Sequence, residues 1–122
     1  MTTERYPGLT LRILAGARPA MGPGKAELLE HIATTGSISA AARAMGMSYR
    51  RAWQLVEAMN RDFAAPLVTT ATGGKRGGGA VVTELGQKAL EQFRRMELKA
   101  SRAIARDTLA FEALLKPARK RR

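Results

Sequence analysis

The fold is decided by the stretch "GSISAAARAMGMSYRRAWQLVEAMN" at residues 36–60, which contains two helical segments on either side of a glycine. Ser39 is predicted to cap a short alanine-rich helix, because serine is a favoured capping residue, and Gly46 is expected to end that helix. Ser48 is expected to cap a second helix that continues to about Ala64. Two helices joined by a glycine turn predict a helix-turn-helix.

The second of these helices is predicted to be amphipathic. At about 100° per residue, one side carries the apolar residues Ala52, Leu55, Val56 and Met59. The opposite side carries Arg50, Gln54, Glu57 and Arg61. Arg50 and Gln54 lie in the N-terminal half, which enters the major groove in DNA-binding helix-turn-helix proteins. Because arginine matches the acceptors of guanine and glutamine pairs with adenine, we predict that Arg50 and Gln54 read bases.

Six residues around this turn are predicted to contact or flank the DNA backbone: Arg43, Ser48, Tyr49, Arg51, Trp53 and Arg61. The arginines suit neutralisation of phosphates. Tyr49 and Trp53 lie one helical turn apart, where their rings could stack and direct the hydroxyl and the indole N–H toward phosphates. The alternative is that both rings are partly buried packing residues, and this alternative fits Trp53 at least as well.

A glycine-rich basic loop follows the second helix. Residues 67–71, "LVTTA", and residues 80–83, "AVVT", have strand character and flank "TGGKRGGG" at residues 72–79. The pattern predicts a β-hairpin with two cations at its tip, the wing of a winged helix. The wing residues expected to approach a phosphate or the minor groove are Thr72, Gly73, Gly74, Lys75, Arg76 and Gly77. A nucleotide-binding loop is not indicated, because no G-x-x-x-x-G-K-[ST] or G-x-G-x-x-G motif precedes a helix here.

The segment before the motif contains one predicted strand and one predicted helix. Residues 9–14, "LTLRIL", alternate in the way typical of a short strand. Pro23 suits a first helical turn and Gly36 follows the last apolar residues, so we predict a helix between them. His31 lies in this helix without a second ligand four residues away, and we expect neither a metal site nor a catalytic role for it.

A long helix is predicted from Thr83 to Lys116, ahead of Pro117. At 1.5 Å per residue it could reach about 50 Å, which is too long for a small core to cover. Apolar residues recur along one face, and four of them are expected at the interface of a homodimer: Phe93, Met96, Ala100 and Ile104. The alternative is that this face folds back on its own domain, with a break near Asp107.

The composition limits the class of protein. The chain has 122 residues and 45% apolar content, which fits one domain with a buried core. It has no cysteine, which excludes a disulfide framework and a thiolate zinc site and fits a cytoplasmic location. No apolar run approaches the length of a membrane span, and the N-terminal sequence "MTTERYPG" lacks a signal-peptide pattern.

The charge is strongly positive, with 21 Lys and Arg against 10 Asp and Glu and a net charge of +11. Residues 43–76 carry six basic and two acidic side chains, and residues 116–122 carry five basic and none acidic. Such concentrations suit a polyphosphate or an anionic membrane surface, although a basic tail also serves solubility. Beside a helix-turn-helix, they indicate double-stranded DNA as the partner and no membrane.

These patterns predict a mainly α fold with a small β component, a winged helix-turn-helix with a long C-terminal dimerisation helix. The expected parts are a flexible N-terminus at residues 1–8, a DNA-binding domain at residues 9–82, the long helix at residues 83–116 and a basic tail at residues 117–122.

Residues 36–83 resemble the N-terminal DNA-binding domain of the ModE family of molybdate-dependent transcriptional regulators, which is itself similar to the LysR-type winged helix-turn-helix. The resemblance is carried by "SYRRAW" at residues 48–53 and "ATGGKRGGGAVVT" at residues 71–83. It implies an operator-binding homodimer that regulates transcription. In that family molybdate is bound by separate C-terminal domains of the Mop or TOBE type, which we do not find here, so we do not expect this chain alone to bind molybdate.

Two other classes of function are compared with a DNA-binding regulator. An enzyme is not indicated, because the sequence has no paired-carboxylate, His/Cys or Ser/His constellation, and we predict no catalytic residue, no metal site and no cofactor. The alternative to a DNA-binding regulator is a protein-interaction or oxyanion-binding winged-helix module, since wing amides with Lys75 and Arg76 could hold a tetrahedral anion.

Overall fold

The computed structural model describes residues 8–71 and 79–117. Its elements are β1 (Ile13–Ala15), β2 (Arg18–Met21), α1 (Pro23–Thr35), α2 (Ile38–Ala44), α3 (Tyr49–Asp62), β3 (Val68–Ala71), β4 (Gly79–Val82), α4 (Glu84–Ala103) and α5 (Ala105–Glu112). The strands form two separate antiparallel pairs, β1–β2 and β3–β4. The predicted fold, mainly α with a small β component, is confirmed.

Helix α1 is the centre of the fold, and α2, α3, α4, β2 and β4 all contact it. It begins at Pro23 and ends before Gly36, as the sequence predicts. Gly36 has a φ of 69°, a left-handed conformation that glycine adopts without a steric penalty, and its N–H donates to the Ile32 carbonyl over 2.8 Å. The buried side of α1 supplies Ala26, Leu28, Leu29 and Ile32 to the core.

Helix α2 begins two residues earlier than the sequence analysis expects. Its cap is Ser37, whose Oγ accepts a hydrogen bond from the backbone N–H of Ala40 at 3.0 Å. The prediction that Ser39 caps this helix is wrong, because Ser39 lies inside the helix. The physical reason is the burial of Ile38, which is 5% exposed and packs into the core from the first turn of α2.

The turn between α2 and α3 and the start of α3 follow the prediction. Gly46 in this turn has a φ of 69°. The Oγ of Ser48 accepts a hydrogen bond from the backbone N–H of Arg51 at 3.0 Å and caps α3. Helix α3 ends at Asp62 instead of near Ala64, because the next residue has extended backbone dihedral angles.

The side chain of Asn60 joins the end of α3 to β3. Its Oδ1 accepts hydrogen bonds from the backbone N–H groups of Leu67 and Val68 at 2.8 and 3.1 Å, and its Nδ2 donates to the Val68 carbonyl at 3.0 Å. Leu67 and Val68 are both buried in the core. One side chain therefore satisfies three backbone groups where the chain leaves α3.

The hairpin β3–β4 has the strands that the sequence predicts. Val68 lies opposite Val82 and Ala71 opposite Gly79. The Ala80 N–H donates to the Gly36 carbonyl over 2.9 Å, which attaches β4 to the C-terminal end of α1. The strands are therefore held by backbone hydrogen bonds as well as by core packing.

The N-terminal region forms a hairpin where the sequence analysis expects a single strand over residues 9–14. Strands β1 and β2 pair with Ala15 opposite Arg18, and the turn between them contains Gly16, which has a φ of 65°. Pro19 lies in β2, and proline in a sequence argues against a strand because it lacks an N–H donor. The prediction of one strand over residues 9–14 is therefore wrong for residues 9–12, which lie in no strand, and holds only for Ile13 and Leu14 in β1.

The C-terminal segment is not one continuous helix to Lys116, and that prediction is wrong. Helix α4 ends at Ala103, and Ile104 has a φ of −111° and a ψ of 17°, which separates α4 from α5. The side chains of α5 are mostly exposed, including those of Leu109 and Phe111. No glycine or proline marks the break in the sequence.

An ion-pair network attaches α4 to α1. Arg94 donates from Nε and Nη2 to the two carboxylate oxygens of Glu30 in α1 at 3.0 and 2.9 Å, and from Nη1 to Glu97 at 2.8 Å. Glu97 is only 4% exposed. Burial alone would lower the pKa of Arg94, but hydrogen bonds to both carboxylates outweigh burial and raise the pKa above its ordinary value.

Candidate nucleic-acid interface

Helix α3 has the two faces that the sequence predicts. Its inner face packs into the core through Ala52, Val56 and Met59, with Leu55 partly buried beside them. Its outer face is exposed and consists of Arg50, Gln54, Glu57 and Arg61. Among the described residues, the side chains of Arg50 and Gln54 have no hydrogen-bond or ion-pair partner, so both are free to bind a group outside the chain.

Small residues in α2 bring α3 close to the core. Ala41 and Ala42 of α2 are almost fully buried, as is Ala52 of α3. The Met47 N–H donates to the Ala42 carbonyl over 3.0 Å, which fixes the turn that leads into α3. The outer row of α3 is therefore carried on a rigid element and projects from the body of the domain.

Tyr49 and Trp53 are in contact, as the sequence suggests. Their ring centroids lie 6.2 Å apart with an interplanar angle of 78°, an edge-to-face arrangement. Tyr49 is 53% exposed, whereas Trp53 is partly buried and packs against the core. The packing interpretation therefore holds for Trp53, and the ring of Trp53 in turn supports Tyr49 at the surface.

The other predicted backbone contacts lie near the same turn. Arg43 is exposed and its Nη1 lies 3.4 Å from the Ser39 hydroxyl within α2. The Ser48 oxygen serves as the cap of α3, which leaves its O–H free to donate. The Arg51 side chain is exposed and has no ion-pair partner in the part of the chain that the structure describes.

A cluster of charges lies at the C-terminal end of α3, and of its members only Arg61 was predicted from the sequence to contact the DNA backbone. We call Arg18, Lys25, Arg61 and Asp62 the hairpin cluster. Arg18 Nη2 lies 2.7 Å from Asp62 Oδ1, and Arg61 Nε lies 3.6 Å from the same oxygen. The Lys25 ammonium donates to the carbonyl of Pro19 in β2 over 2.8 Å. No local motif reveals the cluster, because Arg18 and Asp62 lie 44 positions apart.

The positive charges of this cluster influence one another. Burial lowers the pKa of Lys25 below its ordinary value, and the Asp62 carboxylate opposes that shift. Three neighbouring cations lower the pKa further: Arg61, Arg18 and Arg51. By formal charge, the hairpin cluster holds three cations and one carboxylate, a net charge of +2.

The predicted wing residues lie outside the described residues: Thr72, Gly73, Gly74, Lys75, Arg76 and Gly77. The strands that lead to them are described, and Thr69 and Thr70 of β3 are exposed. The roles assigned to the wing stay predictions. The same is true of most of the basic tail, since residues 118–122 are not described.

The four residues expected at a dimer interface differ in their surroundings. Phe93 is 2% exposed and belongs to the core of its own chain, so its assignment to an interface is wrong. Its spacing fits either a core or an interface, and contacts with the rest of the domain decide between them. Met96 and Ala100 are half-buried, and Ile104 is exposed at the break after α4.

Two kinds of feature are absent from residues 8–71 and 79–117. No group of three or more His, Cys, Asp or Glu side chains is placed to hold a metal ion. No helix in these ranges is long and apolar enough to cross a membrane.

Comparison with protein families gives a match to the model described as bacterial regulatory helix-turn-helix protein, lysR family, over residues 24–87. Among curated proteins, the chain is 49% identical over 90 residues to the molybdenum-pterin-binding protein MopB of Rhodobacter capsulatus, covering 74% of this chain and 33% of MopB. It is 46% identical over 71 residues to the DNA-binding transcriptional dual regulator ModE of Escherichia coli K12, covering 58% of this chain and 27% of ModE. The chain thus spans about a third of the length of these relatives.

Two solved structures have the same fold. The crystal structure of a CbnR_DBD–DNA complex gives a TM-score of 0.55 at 24% identity, covering 71% of this chain and 94% of the other. The structure of VV2_1132, a LysR family transcriptional regulator, gives a TM-score of 0.54 at 19% identity, covering 76% of this chain and 30% of the other.

Proposed function

The chain belongs to the lysR family of bacterial regulatory helix-turn-helix proteins, and we propose that it binds double-stranded DNA sequence-specifically to regulate transcription. The observation that carries this proposal is the outer row of α3. Arg50 and Gln54 are exposed and unpaired among the described residues, on a capped helix whose opposite face is buried. Side chains of these two types bond to base edges in the major groove.

The base-reading role is tested by selecting duplexes from a random library with the chain and measuring affinity for the selected site by fluorescence anisotropy. Arg50→Ala or Gln54→Ala is expected to weaken binding by about 1 to 3 kcal/mol and to relax the base preference at one position. Arg43→Ala, at a predicted phosphate contact, is the matched control and is expected to weaken selected and scrambled duplexes equally. Uniform loss for all three variants would contradict base reading by Arg50 and Gln54.

We further propose that the regulation is related to molybdenum. The support is the similarity to ModE, a transcriptional regulator, and to MopB, a molybdenum-pterin-binding protein. We propose that these 122 residues bind DNA without molybdate. Titration calorimetry with molybdate, followed by DNA binding with and without it, tests this. Saturable molybdate binding that also shifts DNA affinity would contradict it.

We propose that two copies of the chain associate through α4 and α5. The support is a set of apolar side chains that the chain's own domain leaves exposed: Ile104 at the break after α4 (37%), Phe111 in α5 (62%) and Leu114 just beyond α5 (80%). Analytical ultracentrifugation is expected to show a dimer for the unmodified chain and a monomer for Phe111→Glu. A monomeric unmodified chain at micromolar concentration would contradict the proposal.

We assign the chain no catalytic activity and place its action in the bacterial cytoplasm, where a DNA-binding regulator meets its operator. The support is the family, whose description is regulatory, and the relative named as a DNA-binding transcriptional regulator.

A further inference from the structure

The hairpin cluster lies at the end of α3 that is remote from the predicted base-reading residues. Arg50 and Arg61 are eleven positions apart, which corresponds to about 16 Å along the helix axis. The major groove is about 12 Å wide. A helix whose N-terminal half lies in the groove therefore extends to the bordering phosphate backbone at its other end.

The two hairpins lie at opposite ends of α1. Lys25, in the first turn of α1, donates to Pro19 of β2, whereas Ala80 of β4 donates to Gly36 directly after the last turn. Lys25 and Gly36 are eleven positions apart, so these two attachments are about 16 Å apart along the axis of α1. Hairpins separated in this way meet different stretches of a bound duplex.

The charge and exposure of the cluster suit a phosphate. Three cations surround a single carboxylate, so positive charge remains in excess. The Asp62 side chain is 2% exposed and accepts the 2.7 Å hydrogen bond from Arg18, whose own side chain is 60% exposed. Within the described residues, only Nη2 of the Arg18 guanidinium has a partner. An arginine held in this way is oriented in advance for an external anion, which reduces the entropy lost on binding.

We infer that the β1–β2 hairpin is a second DNA-backbone element, in which Arg18, supported by Lys25 and Arg61, binds a phosphate beyond the C-terminal end of α3. Asp62 is the positioning residue that orients the Arg18 guanidinium. The inference rests on the proposed function, because it requires that α3 binds duplex DNA. Since phosphate contacts carry no sequence information, the hairpin adds affinity for every duplex and helps to fix the register of α3.

The test is the salt dependence of DNA binding by the full chain. The probes are a duplex of about 30 base pairs selected by the chain from a random library, and a scrambled duplex of the same composition, each measured at roughly 50 to 200 mM KCl. Loss of one phosphate contact reduces the slope of log affinity against log salt by about 0.9 per bound chain. Arg18→Ala is expected to show this reduction on both duplexes. The factor by which its affinity decreases between the lowest and the highest salt concentration is then about three times smaller than the factor for the unmodified chain.

Two further variants separate a contact from a change in net charge or folding. Arg102→Ala removes the same charge from an exposed position in the last turn of α4 and is expected to keep the original slope. Arg18→Ala leaves the buried Asp62 without its closest partner, which could destabilise the fold. The double variant Arg18→Ala with Asp62→Asn avoids this and restores the original net charge, and it is expected to keep the reduced slope.

Three outcomes would overturn the inference. In the first, Arg18→Ala and the double variant are folded by circular dichroism and keep the original slope. In the second, only the double variant regains the original slope, because net charge then explains the effect. In the third, the unmodified chain shows no salt-dependent binding to either duplex, which also removes the proposed function. The first two leave the proposed function intact, so the two failures are distinguishable.

Discussion

The two hairpins are both antiparallel pairs of short strands but are attached to the domain by different kinds of interaction. Hairpin β3–β4 is attached through backbone groups of buried residues: Leu67 and Val68 donate to the Asn60 side chain, and Ala80 donates to the Gly36 carbonyl. Hairpin β1–β2 is attached through charged side chains, by Arg18 to Asp62 and by Lys25 to Pro19. The difference teaches that β3–β4 is held by the backbone and the core, whereas β1–β2 is held by charges and keeps the mostly exposed Arg18, of whose guanidinium only Nη2 has a partner among the described residues.

The difference should appear in the free energy of unfolding. Leaving a buried backbone group without a partner costs about 1 to 3 kcal/mol, whereas an exposed ion pair contributes about 0 to 1 kcal/mol. Changes at the attachments of β3–β4 should therefore cost more than changes at the attachments of β1–β2.

The largest effect is expected from Gly86→Ala in the first turn of α4. A Cβ at Gly86 would overlap the Leu67 carbonyl oxygen and lie 2.7 Å from Cγ1 of Val82, so the end of β4 and the start of β3 would both have to move. We expect a loss of about 3 kcal/mol in the free energy of unfolding, measured by urea titration. A loss below about 0.5 kcal/mol would show that this end of the hairpin is not tightly packed.

The next effect is expected from Asn60→Ala, which removes three hydrogen bonds to Leu67 and Val68. We expect a loss of about 2 to 3 kcal/mol, because two buried N–H groups lose their acceptor. Asn60→Asp keeps an acceptor for both N–H groups but places a charged oxygen against the Val68 carbonyl, so it does not isolate Oδ1. A loss below about 0.5 kcal/mol for Asn60→Ala would contradict the role assigned to Oδ1.

A smaller effect is expected for the pair of Arg18 and Asp62. A double-mutant cycle with Arg18→Ala and Asp62→Asn is expected to give a coupling energy of about 1 kcal/mol, which decreases as salt is raised. The physical reason is that Asp62 is buried whereas Arg18 is mostly exposed and screened by ions. A coupling energy of several kcal/mol would mean that β1–β2 is held as firmly as β3–β4.

The smallest effect, and the only gain, is expected from Gly24→Ala in the first turn of α1, next to β2. A Cβ there would have no atom within 4 Å. We expect a gain of about 0.5 to 1 kcal/mol, because alanine restricts the unfolded chain and favours the helix. Thermal unfolding followed by circular dichroism measures it, and a loss of stability would reveal a contact of this turn that the structure lacks.

Local sequence signals were sufficient to predict α1, α3 and the strands β3 and β4. Pro23 and Gly36 mark the ends of α1, Ser48 caps α3, and β-branched residues mark both strands next to the glycine-rich loop. The two faces of α3 also follow from helical periodicity alone. This is why the outer row of α3 was identified from the sequence.

The remaining features depend on contacts between distant residues. Ser37 and Ser39 are equally good caps by residue type, and the burial of Ile38 selects the first. Phe93 has a spacing that fits a core or an interface, and only the packing of the domain decides. The hairpin cluster requires β2 to lie beside the end of α3, which no sequence window of ordinary length contains.

The contact of Arg94 with Glu30 and Glu97 has a mechanical consequence. Because it joins α4 to α1, and α1 contacts α3, the position of α4 near Arg94 is tied to that of α3. In the proposed dimer, the distance between the two copies of α3 then depends on how the two copies of α4 meet. Arg94→Gln would weaken this connection, so the dimer is expected to tolerate operators whose half-sites depart from one helical turn of DNA, about 34 to 36 Å.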